Sequence, residues 1–347
     1  MAVLCLPLIT FVIGGLYMSA WITYYLYAQT DSEFNIPYHP ARIIKINLIL
    51  ASQIWRWINY LPMFTSYLHW RYWKVGSQRF KEIASVDVQY SHTSYLDVYH
   101  PLKEQLSPII IFIYGDSWSS GSKLLYRTFA NSLRELGYVV IVPDYQKYPR
   151  VKVDGMYKDI RETIKWVYNH ANEIRGDPDL IYMLGHSSGA HLISQVVLSD
   201  VIDKAKYQQT MFHVSGKHDP NVTHEPHDFL PQIEGLLLFS GVYDIESHLL
   251  FETARGVEKI SPMSRAMGST VEGYRSNSPL YLIEQNASLF ADSEDILDLW
   301  PRILLLHGQK DTIVSMNQSA TMFNALGKAL PIERRDEVDV RMRFFNA

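Results

Sequence analysis

The chain has 347 residues, of which 47% are hydrophobic and 20% charged, a composition typical of folded proteins rather than disordered or collagen-like ones. This length allows two domains at roughly 150 residues each, although α/β enzymes often form one domain of about 200–250 residues. The 32 basic and 36 acidic residues leave a formal net charge of −4, so no electrostatic feature points to a nucleic-acid partner. The single cysteine, Cys5, excludes an internal disulfide and a cysteine-rich zinc site.

The first 75 residues differ in composition from the rest. They contain sixteen of the forty-five aromatic residues but seven charged ones, whereas residues 76–347 contain sixty-one charged residues. From Met1 to Thr30 there is no charged side chain, and at about 1.5 Å per residue this stretch can cross a hydrocarbon core of about 30 Å. We therefore predict a transmembrane anchor over residues 1–30. A cleaved signal peptide is the alternative, but it would be expected to begin with basic residues.

Residues 31–75 form a second aromatic segment. Its apolar stretch from Ile46 to Trp73 is interrupted by polar residues and by Pro62, and it contains four tryptophans. This pattern predicts an amphipathic or interfacial membrane-proximal segment rather than a second full span. A helix packed on the folded domain is the alternative. The orientation of the anchor stays open, because no basic residue precedes it.

From residue 76 to 347, short apolar runs alternate with helical periods. The clearest helix is predicted over Met156–Asn172, ending before the breaker Gly176-Asp177-Pro178. The runs predicted as strands are Val86–Tyr90, Tyr95–Tyr99, Ile109–Tyr114, Tyr138–Val142, Leu180–Leu184, Leu236–Phe239, Ile303–Leu306 and Val338–Phe345. The alternation predicts an α/β domain with a mostly parallel sheet covered by helices on both faces. In such a sheet, chemistry is expected at the carboxyl ends of the strands.

The strongest local motif is Gly185-His186-Ser187-Ser188-Gly189, which follows a predicted strand and precedes a predicted helix over Ala190–Leu198. Glycines two residues before and after a serine let the strand and the helix approach closely, as in a nucleophile elbow. The motif predicts Ser187 as a catalytic nucleophile. The backbone N–H of Ser188 is then expected to donate to an oxyanion. A structural turn rich in glycine and serine is the alternative.

A second oxyanion donor is expected in the loop after an earlier strand. The run from Tyr114 to Gly121 follows the predicted strand Ile109–Tyr114 and has the right place in the chain. Within it, the backbone N–H of Asp116 or of Ser117 is the predicted donor. A plain surface turn is the alternative.

The acid of a Ser-His-Asp triad is expected after a late strand, and Asp311 stands there, 124 residues after Ser187. Asp311 is therefore predicted as the acid. Asp244, after the preceding strand, is the rival, with support of its loop or contact with substrate as its expected role. His307 is expected to be a polar residue that closes the strand, and Asp159 to be structural or on the surface.

The general base should be a histidine after Asp311, yet all thirteen histidines lie at or before His307. Three explanations stay open. The sequence ends before the loop that carries the base, the chain is a non-catalytic member of its family, or a base is recruited from elsewhere, for which His186 and His191 flank the elbow. His191 is expected to be a packing or hydrogen-bonding residue.

The polar stretch from Lys204 to Asp228 contains four histidines, whose spacings do not match a zinc signature. It is predicted to be a mobile insertion or lid rather than a metal site. No cofactor and no metal are expected. Sequons at Asn221, Asn286 and Asn317 would matter only for a lumenal domain, which they weakly favour, and the topology stays open.

The loop Gly115-x-x-Trp118-x-x-Gly121, the turn Gly176-Asp177-Pro178 and the elbow together resemble the α/β-hydrolase superfamily, and most of all its prenylcysteine methylesterases and the related carboxylesterases and kynurenine formamidases. The resemblance extends over roughly residues 45–315. One departure is Asp116, which stands in a loop that the family opens with His-Gly-Gly. A carboxylate pointing inward there would repel the oxyanion.

This resemblance implies an enzyme that cleaves a carboxylic ester. The substrate would be a small-molecule or lipidated-peptide ester, such as the methyl ester of a prenylated cysteine, at an endoplasmic reticulum or Golgi membrane. The alternatives are an amidase similar to kynurenine formamidases and a catalytically silent, membrane-tethered binding protein.

Overall fold

The computed structural model describes residues 2–27, 36–102, 105–215, 228–292, 299–330 and 339–346. Its centre is an eight-stranded sheet. The strands are β1 (Ala84–Gln89), β2 (Tyr95–Tyr99), β3 (Ser107–Ile113), β4 (Val139–Asp144), β5 (Gly176–His186), β6 (Gly235–Phe239), β7 (Arg302–Gly308) and β8 (Val340–Phe345).

Helices flank the sheet and precede it in the chain. They are α1 (Ala2–Tyr27), α2 (Pro40–His69), α3 (Gly76–Ile83), α4 (Arg127–Glu135), α5 (Val153–His170), α6 (Ser188–Ser215), α7 (Ile245–Arg255), α8 (Met263–Ala266), α9 (Val271–Ser276), α10 (Pro279–Gln285), α11 (Ala287–Asp292) and α12 (Asn317–Ala329). A π-helical turn, Trp70–Val75, joins α2 to α3, and a 3₁₀ turn, Lys123–Tyr126, precedes α4.

The strand order is β1-β2-β4-β3-β5-β6-β7-β8. Strand β2 is antiparallel to both of its neighbours, and every other pairing is parallel. This confirms the predicted mostly parallel sheet. The predicted strands match the observed ones in order. The largest difference is in β5, which begins at Gly176, because the predicted breaker Gly176-Asp177-Pro178 forms the start of this strand.

The core lies on both faces of the central strands. Strand β4 is buried from Val139 to Pro143, as expected for a parallel strand covered on both sides. On one face, α5 places Ile160, Ile164 and Val167 at helical spacing, and all three are fully buried. Removing such a side chain from water contributes about 1.5–3 kcal/mol. The same periodicity underlies the predicted helix, which in the structure ends at His170 rather than Asn172.

The predicted insertion from Lys204 to Asp228 is wrong for its first half. Helix α6 continues through Lys204 to Ser215, because Val201, Ile202 and Ala205 keep one face of the helix buried after the predicted end at Leu198. Residues 216–227 lie outside the described part of the chain, and so do three of the four histidines considered as a cluster.

Helices α1 and α2 form an antiparallel hairpin. Asn47 accepts a hydrogen bond from Ser19 and donates one to the Leu16 carbonyl (2.9 Å), and Ala20, Tyr24, Ile43 and Ile46 form a small buried cluster. Helix α2 continues through Pro62 without interruption. The structure therefore has one continuous helix over most of the stretch for which the sequence predicts an interfacial segment.

Candidate active site

Ser187 stands on a strained turn between β5 and α6. Its φ is +52°, in the left-handed region that a residue with a side chain seldom adopts. Its backbone N–H donates to the Phe239 carbonyl on the neighbouring strand β6 (2.8 Å), which holds the turn in place. The side chain is partly exposed at the carboxyl edge of the sheet. This is the strand–turn–helix geometry expected of a nucleophile elbow.

Two glycines allow the elbow to pack against β3 and the loop that follows it. A Cβ at Gly189 would overlap the Ile113 carbonyl oxygen and lie 2.8 Å from the Tyr114 carbonyl oxygen. A Cβ at Gly115 would overlap the His186 carbonyl oxygen and lie 2.8 Å from the Cβ of Ser187. Real Cβ atoms do not approach backbone so closely, so both positions require glycine.

The side chain of Ser188 ties the predicted oxyanion loop to the elbow. Its Oγ is buried and accepts the backbone N–H groups of Asp116 (3.1 Å) and Trp118 (3.4 Å). Its own N–H is the first of α6, where helical N–H groups have no intrahelical partner. The Asp116 N–H is thus engaged by Ser188. In the described residues, no partner is recorded for the N–H of Ser117, which is exposed and has a φ of +53°.

The carboxylate of Asp116 lies at the surface of the elbow, where its charge acts on neighbouring groups. Protein atoms around the His186 ring lower the pKa of this histidine, and the negative charges of Asp311 and Asp116 oppose that shift. Burial raises the pKa of Tyr126 to about 12, and the Asp116 charge adds to this shift. Both Asp311 and Asp116 are therefore close enough to the elbow for their charges to act on His186.

A buried hydrogen-bond chain behind the oxyanion loop was not predicted from the sequence. The indole N–H of Trp118 donates to Nδ1 of His191 (3.1 Å), and Nε2 of His191 donates to the Asn277 carbonyl (2.7 Å). With one nitrogen accepting and the other donating, His191 is neutral. Burial lowers its pKa to about 4. This geometry agrees with the expected packing and hydrogen-bonding role of His191 and makes it unsuitable as a base.

A buried ion cluster fixes the chain just after the same loop, and it too was missed. Nζ of Lys123 lies 2.6 Å from carboxylate oxygens of both Asp87 and Asp97, and Arg127 lies 3.4 Å from the second oxygen of Asp97. Asp97 is fully buried on β2. A lysine in a polar loop gave no sequence signal of burial, because its partners are more than twenty residues away.

Asp311 is held as a hydrogen-bond acceptor at the end of β7. Its Oδ1 accepts the backbone N–H groups of Ile313 (2.8 Å) and Val314 (3.0 Å), while Oδ2 lies 3.7 Å from Nε2 of His307. His307 is buried, donates Nε2–H to the Val314 carbonyl and bonds Ser319 through Nδ1. The His307 ring therefore links the end of β7 to the residues that follow it, in agreement with its expected structural role. Oδ2 of Asp311 is left without a hydrogen bond at 3.5 Å or less among the described residues.

The rival residues have structural roles. Asp244 caps α7 by accepting the Ser247 N–H (3.0 Å), and buried Asp159 accepts the N–H of Gln146 (2.7 Å) and the hydroxyl of Ser94 (3.1 Å). No cluster of three histidine, cysteine, aspartate or glutamate side chains that could hold a metal ion occurs in the described part of the chain.

Comparison with known proteins gives a consistent family. The BD-FAE family matches residues 96–326, about two thirds of the chain. The chain is 28% identical over 232 residues to a probable isoprenylcysteine alpha-carbonyl methylesterase of Oryza sativa subsp. japonica, covering 67% of this chain and 49% of that protein. It is 29% identical over 177 residues to the kynurenine formamidase of Salmo salar, covering 50% and 51%. The chain thus spans about half the length of these curated relatives.

Solved structures agree with the fold. Esterase B from Lactobacillus rhamnosis superposes with a TM-score of 0.58 at 16% identity, covering 88% of this chain and 85% of that one. At this identity the similarity shows the α/β-hydrolase fold alone. The predicted fold class is therefore confirmed for the sheet and its helices, and the predicted family is confirmed as well.

Proposed function

Because the chain belongs to the BD-FAE family of α/β-hydrolases, we propose that it is a serine hydrolase that cleaves carboxylic esters through an acyl-enzyme. One observation carries the proposal: Ser187 stands at φ +52° between β5 and α6, directly before the first residue of that helix. A nucleophile needs this exposed position beside N–H donors, and a structural turn does not.

The proposed chemistry follows from the positions of the groups. Oγ of Ser187 attacks the ester carbonyl carbon and gives its proton to a general base, and the carbonyl oxygen becomes an oxyanion. The N–H groups of Ser188 and Ser117 stabilise this charge. The N–H of Asp116 does not take part, because it donates to the Ser188 hydroxyl. The alcohol leaves with the proton, and water then hydrolyses the acyl-serine. Asp311 orients the base through its free Oδ2.

The base itself is not assigned to a residue. In the described part of the chain, no histidine ring is recorded within hydrogen-bond distance of Ser187, and no histidine follows Asp311 in the sequence. Buried His191 and His307 have both ring nitrogens engaged. His186 directly precedes the nucleophile in the chain, and protein atoms around its ring lower its pKa.

The ester class and the membrane location are supported by separate observations. The plant relatives are named as isoprenylcysteine alpha-carbonyl methylesterases, which favours a prenylcysteine methyl ester. Ile9–Tyr27 is long and apolar enough to cross a membrane, a property that a signal sequence shares. We therefore propose a retained anchor and, by similarity to such methylesterases, an endoplasmic reticulum or Golgi membrane.

The amidase alternative is favoured by the fish kynurenine formamidases, which match at 29% identity over a shorter stretch. The two activities are separated by offering N-formylkynurenine and a farnesylcysteine methyl ester to the same preparation. A higher kcat/KM for the methyl ester supports the proposed ester class. The opposite preference supports the amidase.

The nucleophile is tested with a fluorophosphonate probe on the full 347-residue chain and on Ser187→Ala. We expect labelling of the wild type and a loss of at least about 1,000-fold in the labelling rate for the variant, since only an activated serine reacts quickly. Ser188→Ala is not a suitable control, because it removes the acceptor of the Asp116 and Trp118 N–H groups in the oxyanion loop. Ser132→Ala is the control, because Ser132 lies on the exposed face of α4. A wild type that stays unlabelled while folded would support the silent binding protein instead.

A further inference from the structure

Two backbone N–H groups of the loop after β3 converge on one side-chain oxygen. Asp116 and Trp118 both donate to Oγ of Ser188, at 3.1 and 3.4 Å. N–H groups two residues apart in a turn that point at the same atom form a nest, a concave set of donors that binds anionic oxygen. We use the word nest for the N–H groups of residues 116–118. The oxygen that this nest holds is the neutral hydroxyl of Ser188.

The nest lies beside the candidate nucleophile. A Cβ added to Gly115, the residue before the nest, would lie 2.8 Å from the Cβ of Ser187. Ser188 directly follows Ser187 and is the first residue of α6. An oxyanion formed by attack of Ser187 therefore arises close to the backbone of Ser188 and to the nest, which is where oxyanion donors are needed.

The backbone of the nest is strained. Ser117 has a φ of +53° and Trp118 a φ of +58°, so two successive residues with side chains lie in the left-handed region. This region is unfavourable for residues other than glycine, and it persists only where the surroundings impose it. Such strain is typical of ligand sites. A plain surface turn, the alternative drawn from the sequence, needs no strain of this kind.

Other parts of the protein also hold this loop, through four hydrogen bonds. They run from the Tyr145 hydroxyl to the Tyr114 carbonyl (2.8 Å), from the Tyr126 hydroxyl to the Gly115 carbonyl (3.2 Å), from the Tyr148 N–H to the Trp118 carbonyl (3.0 Å) and from the Trp118 indole N–H to Nδ1 of His191 (3.1 Å). The first two lie before the nest and the last two at its end. The loop therefore keeps its course without the Ser188 hydroxyl.

The Ser188 hydroxyl can affect the loop in two ways, as a brace or as a competing acceptor. A brace is redundant, because the four other bonds hold the loop on both sides of the nest. A competing acceptor has a chemical consequence, because the Asp116 N–H is directed at Oγ of Ser188 and not at the reacting oxygen. The hydroxyl is also a poor acceptor for a nest, since hydrogen bonds to an ionised oxygen are about twice as strong.

We propose that the Ser188 hydroxyl is the acceptor of the nest in place of the reacting oxygen, so that it withholds the Asp116 N–H from the oxyanion and slows the reaction of Ser187. The proposal rests on the proposed function of Ser187 as a nucleophile. Ser188 then has two opposing effects: its backbone N–H stabilises the oxyanion, and its side chain directs another donor away. Without the hydroxyl, the Asp116 N–H turns to the oxyanion beside those of Ser188 and Ser117.

The test compares the full wild-type chain with Ser188→Ala. Ser194→Ala is the matched control, because Ser194 is also 0% exposed on α6 but its hydroxyl donates to the Ala190 carbonyl of the same helix (2.8 Å). The reagent is paraoxon. Oγ of Ser187 bonds to its phosphorus, 4-nitrophenolate leaves, and the serine proton goes to the base. The oxyanion donors hold the P=O oxygen, and the absorbance of released 4-nitrophenolate gives the rate.

We expect Ser188→Ala to react at least about 10-fold faster than the wild type, since one oxyanion donor changes a rate by about 10²–10³-fold. Ser194→Ala should react at the wild-type rate. Ser188→Cys should be intermediate, because sulfur is a weak acceptor, and it replaces the alanine variant if that variant does not fold. Circular dichroism reports the folding of each protein.

Parathion provides a readout that a general change in stability does not move. It has sulfur in place of the P=O oxygen, and sulfur accepts hydrogen bonds weakly, so the freed N–H should help it less. The ratio of the paraoxon rate to the parathion rate should therefore rise at least about 3-fold in Ser188→Ala. The same ratio in the wild type and in Ser194→Ala is the reference.

The outcomes separate this inference from the proposed function. A folded Ser188→Ala that reacts more slowly than the wild type would overturn the inference and make the hydroxyl a brace. An unchanged rate and an unchanged ratio would overturn it as well, because the Asp116 N–H would then have no part in the reaction. If the folded wild type and all its variants leave Ser187 unmodified, as shown by mass spectrometry of the peptide, the proposed function itself fails and the inference fails with it.

Discussion

The carboxyl edge of the sheet and the α1–α2 hairpin differ in which side chains they bury and which they expose. At the edge, polar groups are buried and paired: Ser188 is 0% exposed and accepts two backbone N–H groups, and His191 is 0% exposed with both nitrogens bonded. In the hairpin, large apolar side chains point outward, as Phe11 at 81% and Trp55 at 64% show. The two regions therefore differ in what they expose to their surroundings: the edge buries and pairs its polar groups, whereas the hairpin exposes apolar side chains.

The two regions also differ in what determines their positions. The elbow is fixed by close backbone contacts that leave no alternative arrangement, as at Gly189. The hairpin is fixed to the domain by a few side chains at each end of α2, among them Arg42 and Tyr67. Substitutions at the edge should therefore cost far more than substitutions at the hairpin attachments.

The largest effect is expected for Gly189→Ala. The new Cβ would overlap the Ile113 carbonyl oxygen, so α6 would have to move away from β3, at a cost of at least about 4 kcal/mol in unfolding free energy. Urea unfolding in detergent measures this loss. The control is Gly327→Ala on α12, where a Cβ meets nothing within 4 Å, and a gain of about 0.5–1 kcal/mol is expected. Equal effects at both positions would contradict the close-contact explanation.

A smaller but still large effect is expected for Asp97→Asn. This change leaves Lys123 and Arg127 beside a buried neutral amide, which should cost about 3–5 kcal/mol. Asp87→Asn is the matched control, because Asp87 bonds the same lysine but its side chain is 69% exposed, and a cost below about 1 kcal/mol is expected. Urea unfolding of the two variants measures both losses. Equal losses of unfolding free energy would mean that pairing with Lys123, and not the burial of Asp97, sets the cost.

A pH-dependent effect is expected at His191. Burial lowers its folded pKa to about 4, below the usual value of 6.5, so the folded state holds it neutral while the unfolded state takes up a proton. Its contribution is present above pH 6.5 and is lost as the pH falls towards 4. The wild type should therefore lose up to about 3 kcal/mol more than His191→Gln over this range. Parallel stability curves for the two proteins would contradict this.

Much of the carboxyl edge of the sheet could be predicted because its signals are local. The elbow depends on glycines two residues on either side of Ser187, and β3, β6 and the part of β5 from Leu180 to Leu184 are short runs of mostly apolar residues. Ser187 was thus predicted at the position where the structure has the turn. Asp311 was likewise predicted at the end of β7, where two N–H groups hold its carboxylate. Their catalytic roles stay predictions.

The rest depends on contacts between distant residues. Trp118 and His191 are 73 residues apart, and the sequence gives no sign that the indole N–H meets the imidazole. The choice between Asp116 and Ser117 as oxyanion donor depends on a hydroxyl 72 residues from Asp116. The extent of α6 was missed because its surface after Lys204 is polar, and the burial of one face is visible only when its neighbours are in place.

The smallest effect is expected for Arg42→Met at the attachment of α2. Arg42 pairs with Glu258 and lies over the ring of Tyr24 (5.6 Å), and its side chain is one-third exposed, so its loss should cost about 1 kcal/mol. The cost falls on the docking of the hairpin, because the domain core does not include Arg42. Hydrogen exchange of the first turns of α2 should therefore speed up about five-fold, while β4 and β5 keep their protection.

Lys158→Met, which removes an exposed pair with Glu162, is the control. Faster exchange in β5 as well would mean that the hairpin and the edge with Ser187 unfold together, and that the contrast between them is one of composition and not of stability.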